Sequence, residues 1–155
     1  MADKVIHTFK ANEKLKSDLH IEALFKSGRS FFAAPLKVHY LVAPCPPTLL
    51  APSNQPEAAA PMLVFNAGVC KAGFSVSKKL MKRAVHRNRV KRLLREAYRM
   101  HKHKLIAALG NKQDSPLQLH LFFVYCDKQL PAFSLVEEKM KYGIRRLIKI
   151  VEGNA

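Results

Sequence analysis

The chain has 155 residues, 27 Lys+Arg against 11 Asp+Glu, and a formal charge of +16. Its length fits a single domain, and with 48% apolar residues it can bury a core, which excludes disorder throughout. No apolar run approaches the ~18 residues of a membrane helix, and the start MADKVIHTFK lacks the apolar stretch of a secretory signal.

Residues 1–16 are polar, basic and without periodicity, and read as a loosely ordered lead-in. A short helix is expected from Ser17, capped by Ser17 or Asp18 and stopped by Gly28, with Ile21, Leu24 and Phe25 on one face. An extended piece at 29–33 precedes a strand over Leu36–Ala43, where Leu36, Val38 and Tyr40 point one way and Lys37, His39 and Leu41 the other. Residues 44–61 hold six of the nine prolines and read as a loop inserted between strands. Met62–Ser77 suggests one bent strand, or two pieces broken near Gly68 or Gly73. A helix at about 84–109 carries an apolar stripe of Val90, Leu93, Leu94, Ala97, Leu105 and Ala108, with Gly110 and Asn111 as stop signals. Leu119–Cys126 is a further strand. Ser134 and Glu137 form a capping-box pattern ahead of a last helix that buries Val136, Met140, Ile144, Leu147, Ile148 and Val151. The order is α-β-β-β-α-β-α with a small mixed sheet. This is an α+β fold, a single-domain α/β sandwich over 1–155.

The charge is unevenly placed. Residues 71–104 carry 13 Lys/Arg and one acid, Glu96, whereas the other 121 residues net only +4. A pI near 10 calls for a polyanionic partner, with nucleic acid ahead of an acidic membrane surface. On a helix, Arg87, Lys91, Arg95 and Arg99 form one row, and Asn88, Arg92, Arg95 and Arg99 an overlapping one. Guanidinium forks suit phosphate because each can donate two parallel hydrogen bonds. The competing reading is a solvated helix face. Against it, the stretch has almost no acid for i,i+4 pairs, so its like charges repel. A membrane helix would carry interfacial Phe or Trp, and this stretch has neither. Glu96 either orients the neighbouring arginines or makes a surface salt bridge.

Other chemistry is poorly supplied. The eleven acids are scattered, whereas a stand-alone metal nuclease needs clustered carboxylates. His101 and His103 diverge on a helix and are poor co-ligands. His86 flanks the arginines and reads as an exposed helix position. Cys126 with His120 is not a persuasive nucleophile pair. No phosphate-cradling glycine loop occurs. Cys45, Cys70 and Cys126 form no Cys-x-x-Cys pair and read as free thiols of a reducing interior.

Gly73-Phe74-Ser75-Val76-Ser77-Lys78-Lys79, followed by Ala84-Val85-His86-Arg87-Asn88-Arg89-Val90-Lys91-Arg92-Leu93-Leu94-Arg95-Glu96-Ala97, resembles the signature of the bacterial ribonuclease P protein subunit. Asn12-Glu13-Lys14-Leu15 and Leu24-Phe25-Lys26-Ser27-Gly28 resemble that family's N-terminal region. The resemblance implies a left-handed βαβ crossover, which general chirality rules do not anticipate. It implies a cytoplasmic ribonucleoprotein that removes the 5′ leader of precursor tRNA. A catalytic RNA subunit then holds the active site and the Mg2+, and the protein has no catalytic residue, no metal site and no membrane partner.

By the same resemblance, Lys78, Lys79, Arg87, Asn88, Arg89, Lys91, Arg92 and Arg95 bind RNA. Lys82 and Arg83 of the loop, which stand where the family often has a glycine, and Arg99 of the helical row join them. Phe25 matches an aromatic of a leader cleft between the first helix and the sheet, with Lys37 and His39 as its floor. One turn earlier the family commonly has a second Phe. Here Ile21 offers an apolar wall, or ordinary core packing, which is also the alternative for Phe25 and Tyr40. A structured-RNA-binding protein of ribosomal type, without enzymatic output, is the rival reading; a free-standing nuclease is a second.

Overall fold

The computed structural model describes residues 14–15, 18–44, 69–110 and 117–153. Among the described residues, three helices and four strands follow in the expected order: α1 (Asp18–Ser27), β1 (Arg29–Ala33), β2 (Leu36–Pro44), β3 (Val69–Val76), α2 (Ala84–Gly110), β4 (Leu117–Tyr125) and α3 (Phe133–Gly153). The expected Pro-rich loop beyond Pro44 and the early part of the strand expected from Met62 lie outside the described residues. So do the cap at Ser17 and the lead-in, apart from Lys14 and Leu15. That pair is fastened: the Leu15 amide donates to the Ala72 carbonyl at 3.0 Å, and the Leu15 side chain is buried.

The sheet order is β1-β2-β4-β3. β1 and β2 form a hairpin, β2 pairs antiparallel with β4, and β3 pairs parallel with β4. α2 is therefore the crossover between parallel neighbours. Period-2 alternation divides the sheet into two faces. One presents Leu36, Val38, Ala72, Val76, Leu119, Leu121, Phe123 and Tyr125, all buried under α2 and α3. α2 lies over β3 and β4, and α3 over β1 and β2. The other face presents Phe32, Lys37, His39, Leu41, His120, Phe122, Val124 and Gly73, and α1 packs there on β2 and β4. The register of β2 is the one the alternation predicts.

Both long helices bury the expected stripes, with adjustments. Leu93 and Ile148 are only partly buried, whereas Tyr98 and Leu109 of α2 are fully buried. Tyr98 stands among arginines in the chain, yet its hydroxyl meets the Cys70 thiol at 3.3 Å and its ring packs on Phe74 and Phe123. A buried phenol is tolerated because its polar tip has a partner.

β3 runs unbroken through Gly73. A Cβ there would come within 2.7 Å of the Phe122 ring, so this glycine makes room for an aromatic rather than a bend. Gly28 follows α1 as expected, and only a glycine fits there, because a Cβ would lie 2.2 Å from the Leu24 carbonyl oxygen. The capping box is not used. α3 starts at Phe133, and the Val136 amide donates to the Ala132 carbonyl, which places Ser134 inside the first turn. The Glu137 carboxylate turns instead to His101 at 2.9 Å and Lys141 at 3.3 Å, and these partners hold its pKa down. Two cation-capable donors outweigh one backbone amide.

Candidate nucleic-acid interface

The signature is built where β3 stops. The Ser77 amide donates to the Tyr125 carbonyl, and the Met81 amide donates back to Ser77 at 3.0 Å, closing a turn over 78–81. The Met81 side chain is buried and pins this turn. α2 then begins at Ala84, and Lys78, Lys79, Lys82 and Arg83 are left exposed beside its first turn.

Arg87 departs from the row expected of it. Its guanidinium donates to the Met81 carbonyl at 3.0 Å and the Lys82 carbonyl at 2.5 Å. A row with a spacing of four drifts by about 40° per step, because an α-helix has 3.6 residues per turn. Arg87 therefore starts near the inner side of α2, where Val90 and Leu94 are buried, and the row reaches solvent only further along. Arg87 ties the basic turn to the helix. Lys91 is half-buried, while Asn88, Arg89, Arg92 and Arg95 are exposed. Arg99 is half-buried and forks onto Glu96, with Nε at 3.0 Å and Nη2 at 2.5 Å. This pairing lowers the Glu96 pKa and raises that of Arg99. Glu96 thus makes a surface salt bridge that also orients one arginine, so both expectations for it meet in a single pair. His86 is half-buried, not exposed. Sequence reasoning missed Val85, an apolar side chain 77% exposed at the head of the cationic face; its only signal was its place off the stripe.

The other face of the sheet carries an aromatic floor. Phe25 is 48% exposed, and its ring meets His39 at 4.7 Å and Phe122 at 5.3 Å, edge-on in both cases. Lys37 stands two residues before His39 on the same side of β2, and Ile21 is half-buried one turn before Phe25. The fold thus brings Phe25 and His39 together, with Lys37 in line. Tyr40 faces the opposite way, near Phe31 and the core. Burial first, then nearby Lys37, lowers the pKa of His39, so its imidazole is neutral near pH 7. Two aromatics were missed. Phe122 is revealed by alternation in Leu119–Tyr125. Phe32, 58% exposed, pairs with Lys37 and so shares this face.

Beneath α1, His120 is 7% exposed and its ring lies 5.0 Å from His20. The buried nitrogens His120 Nε2 and His20 Nδ1 have no hydrogen-bond partner among the described residues. Burial, His20 and Lys71 together depress the His120 pKa to about 4. Among the described residues, no three His, Cys, Asp or Glu side chains converge to hold a metal ion. Mg2+ demands an oxygen-rich octahedral shell, and the outer face of α2 offers cations, one amide and a single carboxylate, Glu96, that Arg99 already holds. These residues do not fit that ion. No helix of the described residues is long and apolar enough to cross a membrane.

Comparison with known proteins gives one consistent result. The family described as Ribonuclease P matches residues 9–147. The ribonuclease P protein component of Porphyromonas gingivalis is 34% identical over 144 residues, covering 93% of this chain and 89% of its own. That of Chlorobium phaeobacteroides is 30% identical over 139 residues, with 87% and 84% covered. The RNase P protein structure of Staphylococcus aureus aligns at 21% identity and a TM-score of 0.47, covering 89% of this chain and 94% of that one.

Proposed function

The chain belongs to the ribonuclease P protein family, and on that premise we propose that it holds two RNA strands at once, one on each side of its sheet. It is the protein component of a tRNA-processing ribonucleoprotein, and its partner is an RNA subunit. In the proposed division, the outer face of α2 and the turn before it engage the catalytic RNA through Lys78, Lys79, Lys82, Arg83, Asn88, Arg89, Lys91, Arg92 and Arg95. Arg87 keeps that turn in place, and Arg99 presents its fork from Glu96. The floor under α1 receives the single-stranded 5′ leader of precursor tRNA, with Phe25 stacking on an unpaired base. Such a stack contributes about 1–3 kcal/mol. Neutral His39 can donate to or accept from a base edge, Lys37 can meet a phosphate, and Ile21 is an apolar wall.

The carrying observation is the separation of the two surfaces. A cationic helix face and an exposed aromatic floor stand on opposite sides of one sheet. Two polyanions repel, and cations placed between them remove that penalty. Positioning the leader fixes the scissile bond without a nucleophile or general base from the protein. Mg2+ and the catalytic groups are then supplied by the RNA subunit, and the ribonucleoprotein works in the cytoplasm.

One assay tests this reading. Precursor tRNA is incubated with the protein alone, with the RNA subunit alone at low Mg2+, and with both. Cleavage by the pair alone supports it. Cleavage by the protein alone overturns it in favour of a free-standing nuclease. Equal cleavage with and without the protein leaves a structured-RNA-binding protein without enzymatic output.

A further inference from the structure

A second cationic surface lies outside the signature, on α3. Its first half is balanced: Lys139 pairs with Glu138, and Lys141 with Glu137. Its second half is not. Tyr142, Arg145, Arg146 and Lys149 fall at i, i+3, i+4 and i+7, one face of the helix. All four are exposed, and Arg145 and Lys149 have no carboxylate partner among the described residues. Together with Ile148 and Glu152 they line a surface pocket. Tyr142 is 49% exposed, so its ring is open to a flat partner. The Arg146 guanidinium sits 4.6 Å over the Phe31 ring of β1, which steadies this face.

Unpaired cations around an exposed aromatic suit a nucleic acid strand, whose phosphates meet the cations while a base stacks on the ring. Glu152 at the rim can accept from a base amino group or a ribose hydroxyl. Position decides which RNA. α3 and α2 lie side by side on the same face of the sheet, α3 toward β1 and α2 toward β3. The aromatic floor for the leader is on the opposite face. We infer that Tyr142, Arg145 and Lys149 form a second docking site for the RNA subunit, one that clasps an unpaired nucleotide of it. This rests on the assignment of the α2 face to the same RNA.

The test measures the affinity of the full chain for the RNA subunit across a salt series. Removing two phosphate contacts by R145A/K149A reduces the log–log salt slope by about 1.4–1.8. Tyr142→Ala lowers affinity at least about fivefold with little change in slope. Arg92→Ala with Arg95→Ala serves as the reference for the α2 face, and R145Q/K149Q, with thermal melts of all variants, covers any loss of folding. If both pairs weaken binding, the inference holds together with the reading it rests on. If the α2 pair alone weakens binding, the inference is overturned and that reading stands. If the α3 pair alone weakens it, the α3 site stands and the α2 assignment falls. If neither does, both fall. If R145A/K149A weakens only the capture of leader-bearing precursor by the assembled holoenzyme, the inference is overturned, because the face then serves the other RNA.

Discussion

The outer face of α2 and the floor under α1 offer different physics to the RNA strands proposed for them. On α2 the exposed groups include Asn88, Arg89, Arg92 and Arg95, carried on a helix whose inner side is fully packed. Under α1, rings of Phe25, His39 and Phe122 touch edge-on, with Phe32 and Lys37 on the same face. A phosphate contact is long-ranged and weakened by salt, whereas base stacking is short-ranged and nearly indifferent to it. The pair therefore separates attraction from selection. In the proposed division, the cationic face gathers RNA of any sequence and the aromatic floor tells an unpaired strand from a paired one.

The strongest way to break this contrast is charge reversal at Arg89, Arg92 and Arg95. Because three arginines then repel phosphate instead of binding it, affinity for the RNA subunit should fall on the order of a thousandfold at moderate salt, and the salt slope by about 2–3. Preference for leader-bearing over mature tRNA should survive in whatever holoenzyme still forms. Filter binding across a KCl series, with both tRNA forms, checks each half.

Acid should loosen the α1 side before the α2 side. The folded-state pKa of His120 lies near 4, below the ordinary 6.5, so between these values the unfolded chain binds more protons. Its contribution is intact above about pH 6.5 and is lost as pH falls toward 4, amounting to about 3 kcal/mol. Thermal melts at pH 7 and pH 5 should show the loss, and His120→Gln should flatten it. Amide exchange should place the early opening in α1 and not in α2.

Phe25→Ala should cost about 1–3 kcal/mol in binding leader-bearing precursor, with mature tRNA and the salt slope unchanged. An equal loss for mature tRNA would show that Phe25 only packs. The smallest effect is expected from Arg87→Lys. Both the Met81 and the Lys82 carbonyl accept from Nη1 alone, and a lysine ammonium stops one bond short of that point, so the turn should open at a cost of about 1 kcal/mol. Amide protection over 78–83 should drop and affinity for the RNA subunit should fall a few fold, while the salt slope stays constant. A slope that drops by about one would mean that Arg87 touches phosphate directly.

Much of the frame follows from local periodicity. The order of the seven elements, the stripes of α2 and α3 and the two-faced alternation of Leu36–Leu41 depend on 3.6- and 2-residue repeats along single segments. The concentration of cations in 71–104 is likewise a property of the chain itself. These patterns tell which side of its own axis a residue occupies. They do not tell what waits on that side. Tyr98 is core and not surface because Cys70 and two phenylalanines surround it, and Glu137 leaves its cap because His101 and Lys141 stand near. Gly73 is needed for the width of Phe122, a residue far along the chain. Arg87 became a brace, and Phe32 and Phe122 joined the floor, only once β1, β2, β4 and the turn were set beside one another. A short-range repeat sets a direction, but the partner met along it comes from a distant segment, and only the assembled fold brings the two together.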